Sequence, residues 1–357
     1  MHPIDLDSIR RVLIVKPSAI GDVAQTAPVA TLLRRRMPEA RIEWLLNKHY
    51  LPLLDGHPDI DALIPFDRKL FASPMALVGR PLRGFLKDIR RRSFDLVLDL
   101  QGLFRSGVIA RASGAPHRVG FANARELSPM FYTVRVPVPD PEVHAVDRYM
   151  SVLRRLGVEV PEALPWRLPV NESATGFVDE ATGEFAPSQD GPLVGVCPTT
   201  RWETKHWPLE YFIEVARRLA TERKARILID GAPGDEPITH RLRDAVNETV
   251  AASAVDLTGR TTLAELVAAI DRADLFLTND SGPMHIADAL GTPLVAVFGP
   301  TNPVRTGPYR QRNRVVRLDI DCAPCYRRRC DRTRGDGDCG AGRAASPVGV
   351  VRDGLCL

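Results

Sequence analysis

The sequence predicts an α/β protein made of two βαβ sandwiches that face each other across a cleft. Three observations carry that expectation. Short apolar, β-branched runs such as Arg11–Lys16 (RVLIVK) and Leu193–Cys197 (LVGVC) read as buried parallel strands. Each is followed by a small-residue loop and then a stretch of helical period. The alternation runs through twice, on either side of Gly157–Gly191, a stretch rich in Pro, Glu, Ser and Gly that lacks sustained periodicity. With 357 residues the chain is long for one domain and comfortable for two. The expected division is an N-terminal domain over 1–165, a linker over 166–190, a C-terminal domain over 191–340 and a tail over 341–357.

In the first half, the strand at Arg11–Lys16 stops at Pro17. The loop Ser18–Asp22 leads into a helix ending in the basic triplet Arg34–Arg36. Gly21 permits close backbone approach, and Asp22 stands near the helix start, where a negative charge is favourable. Read in isolation, Asp22 is a helix cap. Strands are expected at Arg41–Leu46, Asp61–Phe66 and Asp95–Leu100, with a basic helix at Leu82–Arg92. Gln101–Gly102 ends the last strand and a helix follows through Arg111. The segment His117–Glu126 places Arg118 and Arg125 near a glycine turn. As lone residues these are solvated surface; beside a catalytic loop they can hold an acidic acceptor by bidentate pairing. A helix at His144–Leu156 closes this half.

In the second half, the strand Leu193–Cys197 leads into the loop Pro198–Trp207, and Pro208 sits in the first turn of a helix reaching Ala220. Arg226–Asp230 is a strand ending in the turn Gly231–Glu236, which opens the next helix. Asp256–Thr258 is a short strand, and Thr261 or Thr262 caps a helix over Leu263–Ala273. The most organised stretch comes next. A strand at Asp274–Thr278 breaks into Asn279–Asp280–Ser281–Gly282, Pro283 opens a helix carrying His285, and a strand at Leu294–Phe298 ends in Gly299–Pro300–Thr301. Here a carboxylate, a hydroxyl, backbone N–H groups and an imidazole gather at a helix N-terminus. That suits a ribose and a phosphate. A lone histidine early in a helix is otherwise a structural hydrogen-bonder.

Composition excludes several classes. Hydrophobic residues make up 44% and charged residues 26%, the balance of a soluble globular protein. The net charge of +4 does not argue for nucleic acid but is compatible with anionic substrates or an anionic membrane surface. The N-terminus lacks a signal-peptide core and no apolar run is long enough to span a bilayer, so the expected location is cytoplasmic, with peripheral contact at an anionic membrane surface left open. Four of the six cysteines (Cys322, Cys325, Cys330 and Cys339) crowd into one short segment, unlike a secreted disulfide framework. They offer enough thiolates for one tetrahedral metal site, although only the first pair has ligand spacing. A structural loop is the other reading.

The motifs KPSAIGD at Lys16–Asp22, TTRWETKHWP at Thr199–Pro208, and NDSGPMH with FGPTNP between Asn279 and Pro303 are similar to those of the ADP-heptose:lipopolysaccharide heptosyltransferases of glycosyltransferase family 9, which have the GT-B fold. The resemblance covers about residues 10–332, with three motifs in order. It implies that the N-terminal domain binds a lipid-linked core oligosaccharide and the C-terminal domain an ADP-heptose or another nucleotide-sugar. No cofactor is then required, and no nucleic-acid partner. By position, Asp22 resembles the catalytic base. Lys205, with Thr199 and Thr200 beside it, resembles the residue that holds the donor phosphates. Asp235 resembles the acid on the donor ribose, and Asp280, Ser281, Gly282 and His285 the remaining donor site. One carboxylate suffices for an inverting transfer, because the diphosphate is already a good leaving group. The tail after Cys339 is unlike the helix that closes the family's fold. The rival readings are a family 9 transferase with another donor or acceptor, and a non-catalytic nucleotide- or RNA-binding protein using the cysteine-bearing segment and Arg327–Arg329. An oxidoreductase is weaker, because no G-x-G-x-x-G follows the first strand.

Overall fold

The computed structural model describes residues 4–73, 79–138, 140, 142–318 and 321–330. Contacts divide the chain into two units, 1–169 and 170–357. The tail expected over 341–357 lies outside the described residues, as does Cys339.

In the first unit, β1 (Arg11–Val15) is buried on both faces after its first residue, which is why it reads as an unbroken apolar run. It pairs in parallel with β2 (Arg41–Asn47) and, on its other side, with β4 (Leu96–Asp99). β3 (Ala62–Phe66), β5 (His117–Phe121) and β6 (Val134–Val136) complete a sheet of order β3-β2-β1-β4-β5-β6. The crossovers carry α1 (Ile20–Arg36), α2 (Arg80–Arg91) and α3 (Phe104–Ala112), and α4 (Ala145–Arg155) packs along α1.

The second unit opens with α5 (Glu172–Thr182), inside the stretch that lacked periodicity. Asn171 caps it by accepting from Ser173 N at 2.9 Å, and its buried face is Ala174, Val178 and Ala181, residues small enough to leave only a faint periodic signal. β7 (Leu193–Cys197), β8 (Arg226–Ile229), β9 (Ala254–Asp256), β10 (Leu275–Asn279), β11 (Leu294–Phe298) and β12 (Val315–Arg317) form a second parallel sheet of order β12-β11-β10-β7-β8-β9. Its crossovers carry α6 (Leu209–Glu222), α7 (Glu236–Thr249), α8 (Leu263–Arg272), α9 (Gly282–Leu290) and the short α10 (Pro303–Thr306). Trp207, Phe212 and Leu242 lie in the core over one face of this sheet.

Counted from its own first strand, each sheet has the order 3-2-1-4-5-6 of a doubly wound nucleotide-binding fold. The two units therefore share a topology that no sequence repeat announces. Three local expectations change. The segment His117–Glu126 begins as a strand, and Gly120 marks close packing rather than a turn, since a Cβ there would lie 2.4 Å from the Tyr132 ring. The strand expected at Asp256–Thr258 ends where it was to begin, because Asp256 Oδ1 accepts from Thr258 N at 2.9 Å and turns the chain. The cap of α8 is Thr262, while Thr261 donates instead to Asp230 Oδ2 at 2.9 Å.

Candidate functional site

Doubly wound sheets bind ligands outside the carboxyl ends of the strands, at the point where strand order reverses. That point lies between β1 and β4 in the first sheet and between β7 and β10 in the second. The expected residues fall around both.

In the first unit, Asp22 follows β1 and occupies the first turn of α1. One carboxylate oxygen, Oδ2, accepts from Ala19 N at 2.9 Å, so the capping reading is correct for that oxygen. The other, Oδ1, accepts from the Tyr149 hydroxyl at 3.1 Å and lies 3.5 Å from Lys16 Nζ. The Asp22 side chain is 39% exposed and so remains open to a substrate. Burial lowers the affinity of Lys16 for its proton, but Asp22 and Tyr149 more than offset this and leave its pKa raised. Burial, with Asp22 beside it, pushes the Tyr149 phenol up to about 12. Lys16 therefore stays cationic and Tyr149 stays a donor through the neutral range, and together they fix Oδ1 of Asp22. Arg125 is exposed in the loop after β5, its backbone N–H bonded to Gly102 O at 3.1 Å at the carboxyl end of β4. Arg118 differs: its guanidinium donates to the carbonyls of Phe131 and Ala115, and burial, then Arg111, lowers its pKa. Those two bonds brace the chain around β5.

In the second unit, the loops after β7, β8, β10 and β11 interlock. Lys205 Nζ lies 2.7 Å from Asp280 Oδ2 with both side chains largely buried, and Thr301 also donates to that oxygen. Thr200 Oγ1 reaches Asp280 O at 3.4 Å. Thr199 Oγ1 donates to Asp235 Oδ2 at 2.6 Å, and that oxygen also accepts from Ala232 N, which shapes the turn after β8. Asn279, buried at the end of β10, accepts from Trp207 N at 3.0 Å and donates to Pro198 O at 2.7 Å, tying the two switch-point loops together. Ser281 caps α9 in extended backbone and its hydroxyl lies 3.0 Å from Thr278 Oγ1. Gly282 begins that helix and His285 is half-buried in its first turn. Lys205, Thr199, Thr200, Asp235, Asp280, Ser281, Gly282 and His285 thus lie on loops and a helix start at one sheet edge. A cation and the N-terminal amides of α9 are the donors an anion needs there.

Trp207 is 1% exposed and belongs to the core. Trp202 is held between two cations, with Lys205 Nζ 4.7 Å and Arg328 Cζ 5.0 Å from its ring. Arg328 belongs to the cysteine-bearing segment, which is stitched to the same loops: Thr204 Oγ1 donates to Arg327 O at 2.7 Å, and Cys325 N and Tyr326 N donate to Pro300 O. Among the described residues no three His, Cys, Asp or Glu side chains are arranged to hold a metal, so Cys322, Cys325 and Cys330 do not form such a set.

Sequence reasoning did not single out Tyr149, which is 127 residues from Asp22 and contacts it only through the packing of α4 on α1. Asn279 and Thr301 stood inside the quoted motifs, and burial of a polar side chain between two loops was the missing signal.

The sequence pattern of glycosyltransferase family 9 (heptosyltransferase) matches residues 82–334. The lipopolysaccharide core heptosyltransferase OpsX of Haemophilus influenzae is 27% identical over 88% of this chain and 86% of its own. Among solved structures, a family 9 glycosyltransferase from Veillonella parvula superposes with a TM-score of 0.75 at 27% identity, over 88% of this chain and 87% of that one. The Escherichia coli heptosyltransferase WaaC with ADP-2-deoxy-2-fluoro heptose gives 0.67 at 26% identity, over 87% and 93%.

Proposed function

The chain belongs to glycosyltransferase family 9, with the GT-B architecture, and from that premise we propose that it transfers a heptose from ADP-heptose to the core oligosaccharide of lipopolysaccharide. The observation that carries the donor half is the Lys205–Asp280 pair beside the first turn of α9. Lys205 and the α9 amides hold the diphosphate, Asp280 orients the ammonium, and Thr199 and Asp235 shape the turn that takes the ribose. In the transfer, the acceptor hydroxyl oxygen attacks the anomeric carbon from the face opposite the diphosphate. The carbon–oxygen bond to ADP breaks, the electron pair leaves with ADP, and Asp22 takes the hydroxyl proton. Stabilising the charge that develops on the departing phosphate is the larger electrostatic contribution. Arg125, exposed on the sheet edge that carries Asp22, is the acceptor-side cation. The acceptor being a lipid, the protein works at the inner face of the inner membrane as a peripheral protein.

The test is to incubate the protein with ADP-heptose and a lipid A–Kdo acceptor and to follow ADP release. Release that needs both substrates is the expected result. Turnover with UDP- or GDP-sugars and none with ADP-heptose would replace the donor assignment.

A further inference from the structure

Among the described residues, three of the five exposed large hydrophobic side chains meet in one place: Phe104 at the start of α3, with Leu127 (74% exposed) and Met130 (64% exposed) in the link between β5 and β6. The link is held against the helix. Glu126 Oε2 accepts from Phe104 N at 3.1 Å, Phe104 stacks edge-on against Phe131 with ring centres 5.6 Å apart, and Met130 N donates to Leu127 O. Glu126 and Leu127 both have left-handed backbone, with φ of 55° and 60°. Consecutive non-glycine residues rarely adopt it, and here the conformation holds an apolar side chain outward into solvent rather than turning it into the core.

The surroundings are basic. Arg105 and Arg125 flank the three side chains, and among the described residues neither has an ion-pair partner; Arg135 is fixed nearby through Nε to Pro129 O at 2.9 Å. Alongside α3 packs α2, whose solvent side carries Arg80, Arg83 and Lys87, while Arg90 lies over Gly114 beyond the far end of α3 and Arg91 pairs with Asp88. Apolar tips ringed by cations match a surface that is hydrocarbon beneath and anionic above. They do not match a second copy of this chain, since a self-complementary contact would set arginine against arginine.

We propose that Phe104, Leu127 and Met130 form a wedge that enters the headgroup region of an anionic membrane, with Arg105 and, on α2, Arg80, Arg83 and Lys87 holding the lipid phosphates. This rests on the transferase reading above and deepens its membrane contact. Gly102, at the carboxyl end of β4, binds the Arg125 backbone, and Leu100 N bonds Val15 O on β1, so the wedge stands on the sheet edge that carries Asp22. Docking through it brings the catalytic edge of the first unit to an acceptor whose lipid is in the bilayer.

The experiment is co-sedimentation of the full chain with vesicles of phosphatidylcholine and phosphatidylglycerol in equal parts, compared with phosphatidylcholine alone. Wild type should bind the mixed vesicles, less so as salt is raised. A Leu127→Ser, Met130→Ser variant, both positions being exposed, should fold normally and partition about tenfold less or weaker still. Its turnover on a water-soluble, deacylated acceptor should equal wild type, while turnover on vesicle-borne acceptor falls. Unchanged partitioning of the variant overturns the wedge, as does wild type that ignores the mixed vesicles while still transferring heptose. A wild-type dimer that the variant dissolves overturns it too. Vesicle binding lost in the variant, with no heptose transfer by wild type to either acceptor, supports the wedge and counts against the transferase reading alone.

Discussion

The two oxygens of Asp22 have different partners, and the proposed chemistry rests on one of them. Oδ2 accepts from Ala19 N at the start of the helix, while Oδ1 faces Lys16 and Tyr149 and is the oxygen assigned to the proposed base. Replacing Asp22 by Asn keeps an acceptor for Ala19 N but removes the base, so kcat should fall by about 10²–10⁴ with ADP affinity unchanged. Steady-state rates beside calorimetric ADP titration check this, and near-normal turnover in a folded variant would end the assignment. Lys205 is the cation proposed for the donor phosphates. Lys205→Ala should weaken ADP binding and cost roughly 3–4 kcal/mol of transition-state stabilisation, read as a fall in kcat/KM for ADP-heptose; unchanged values for both would remove it from the phosphate site. The motifs made legible which side chains gather at the strand ends, because tight loops keep particular side chains at particular steps. They could not show that Arg118 is consumed by backbone carbonyls, nor that Tyr149 arrives from another helix, since neither fact has a local pattern.

Strand ends are where the elements carry their electrostatic load. Asp230, the residue after β8, is 7% exposed; burial first, then Asp256 and Asp235, pushes it up to about 7 from 3.8, with Thr261 partly opposing. Between those values the folded chain keeps a proton that the unfolded chain has released. Its contribution to stability is therefore full below about pH 4 and declines as pH rises through about 7, by at most about 4 kcal/mol. Asp230→Asn retains an acceptor for Thr261 without the charge. Urea midpoints at pH 5 and pH 8 should differ less in this variant than in wild type, and an equal difference would sink the account. Legibility followed the same division between centre and edge. Central strands such as β1, β7 and β11 are buried on both faces and read as apolar runs. The outer strands β6 and β12 are three residues each and partly exposed, so no run marks them, and β5 is interrupted by a glycine whose reason, the Tyr132 ring, lies twelve residues on.

Each unit carries its own sheet, its own core and its own switch point, and that predicts how ligand effects distribute over the whole molecule. The contacts among the residues proposed for the donor lie within the second unit: Lys205 to Asp280, Thr199 to Asp235, Asn279 to Trp207 and Pro198. ADP alone should therefore tighten these loops, adding about 2.7 kcal/mol of stability at a hundredfold excess over its Kd. Hydrogen exchange on the full chain should slow at 198–207, 231–236, 279–285 and 299–302. In the proposed division of roles the Lys16–Asp22 loop serves the acceptor, so ADP should slow its amides by much less, whereas a deacylated acceptor should slow them and spare the second set. The cysteine-bearing segment 321–330 should follow the donor loops, because Thr204 and Pro300 bind its backbone. ADP binding at full affinity with no slowing in the four donor loops would mean that the nucleotide is held elsewhere, and the roles given to Lys205 and Asp280 would fall together.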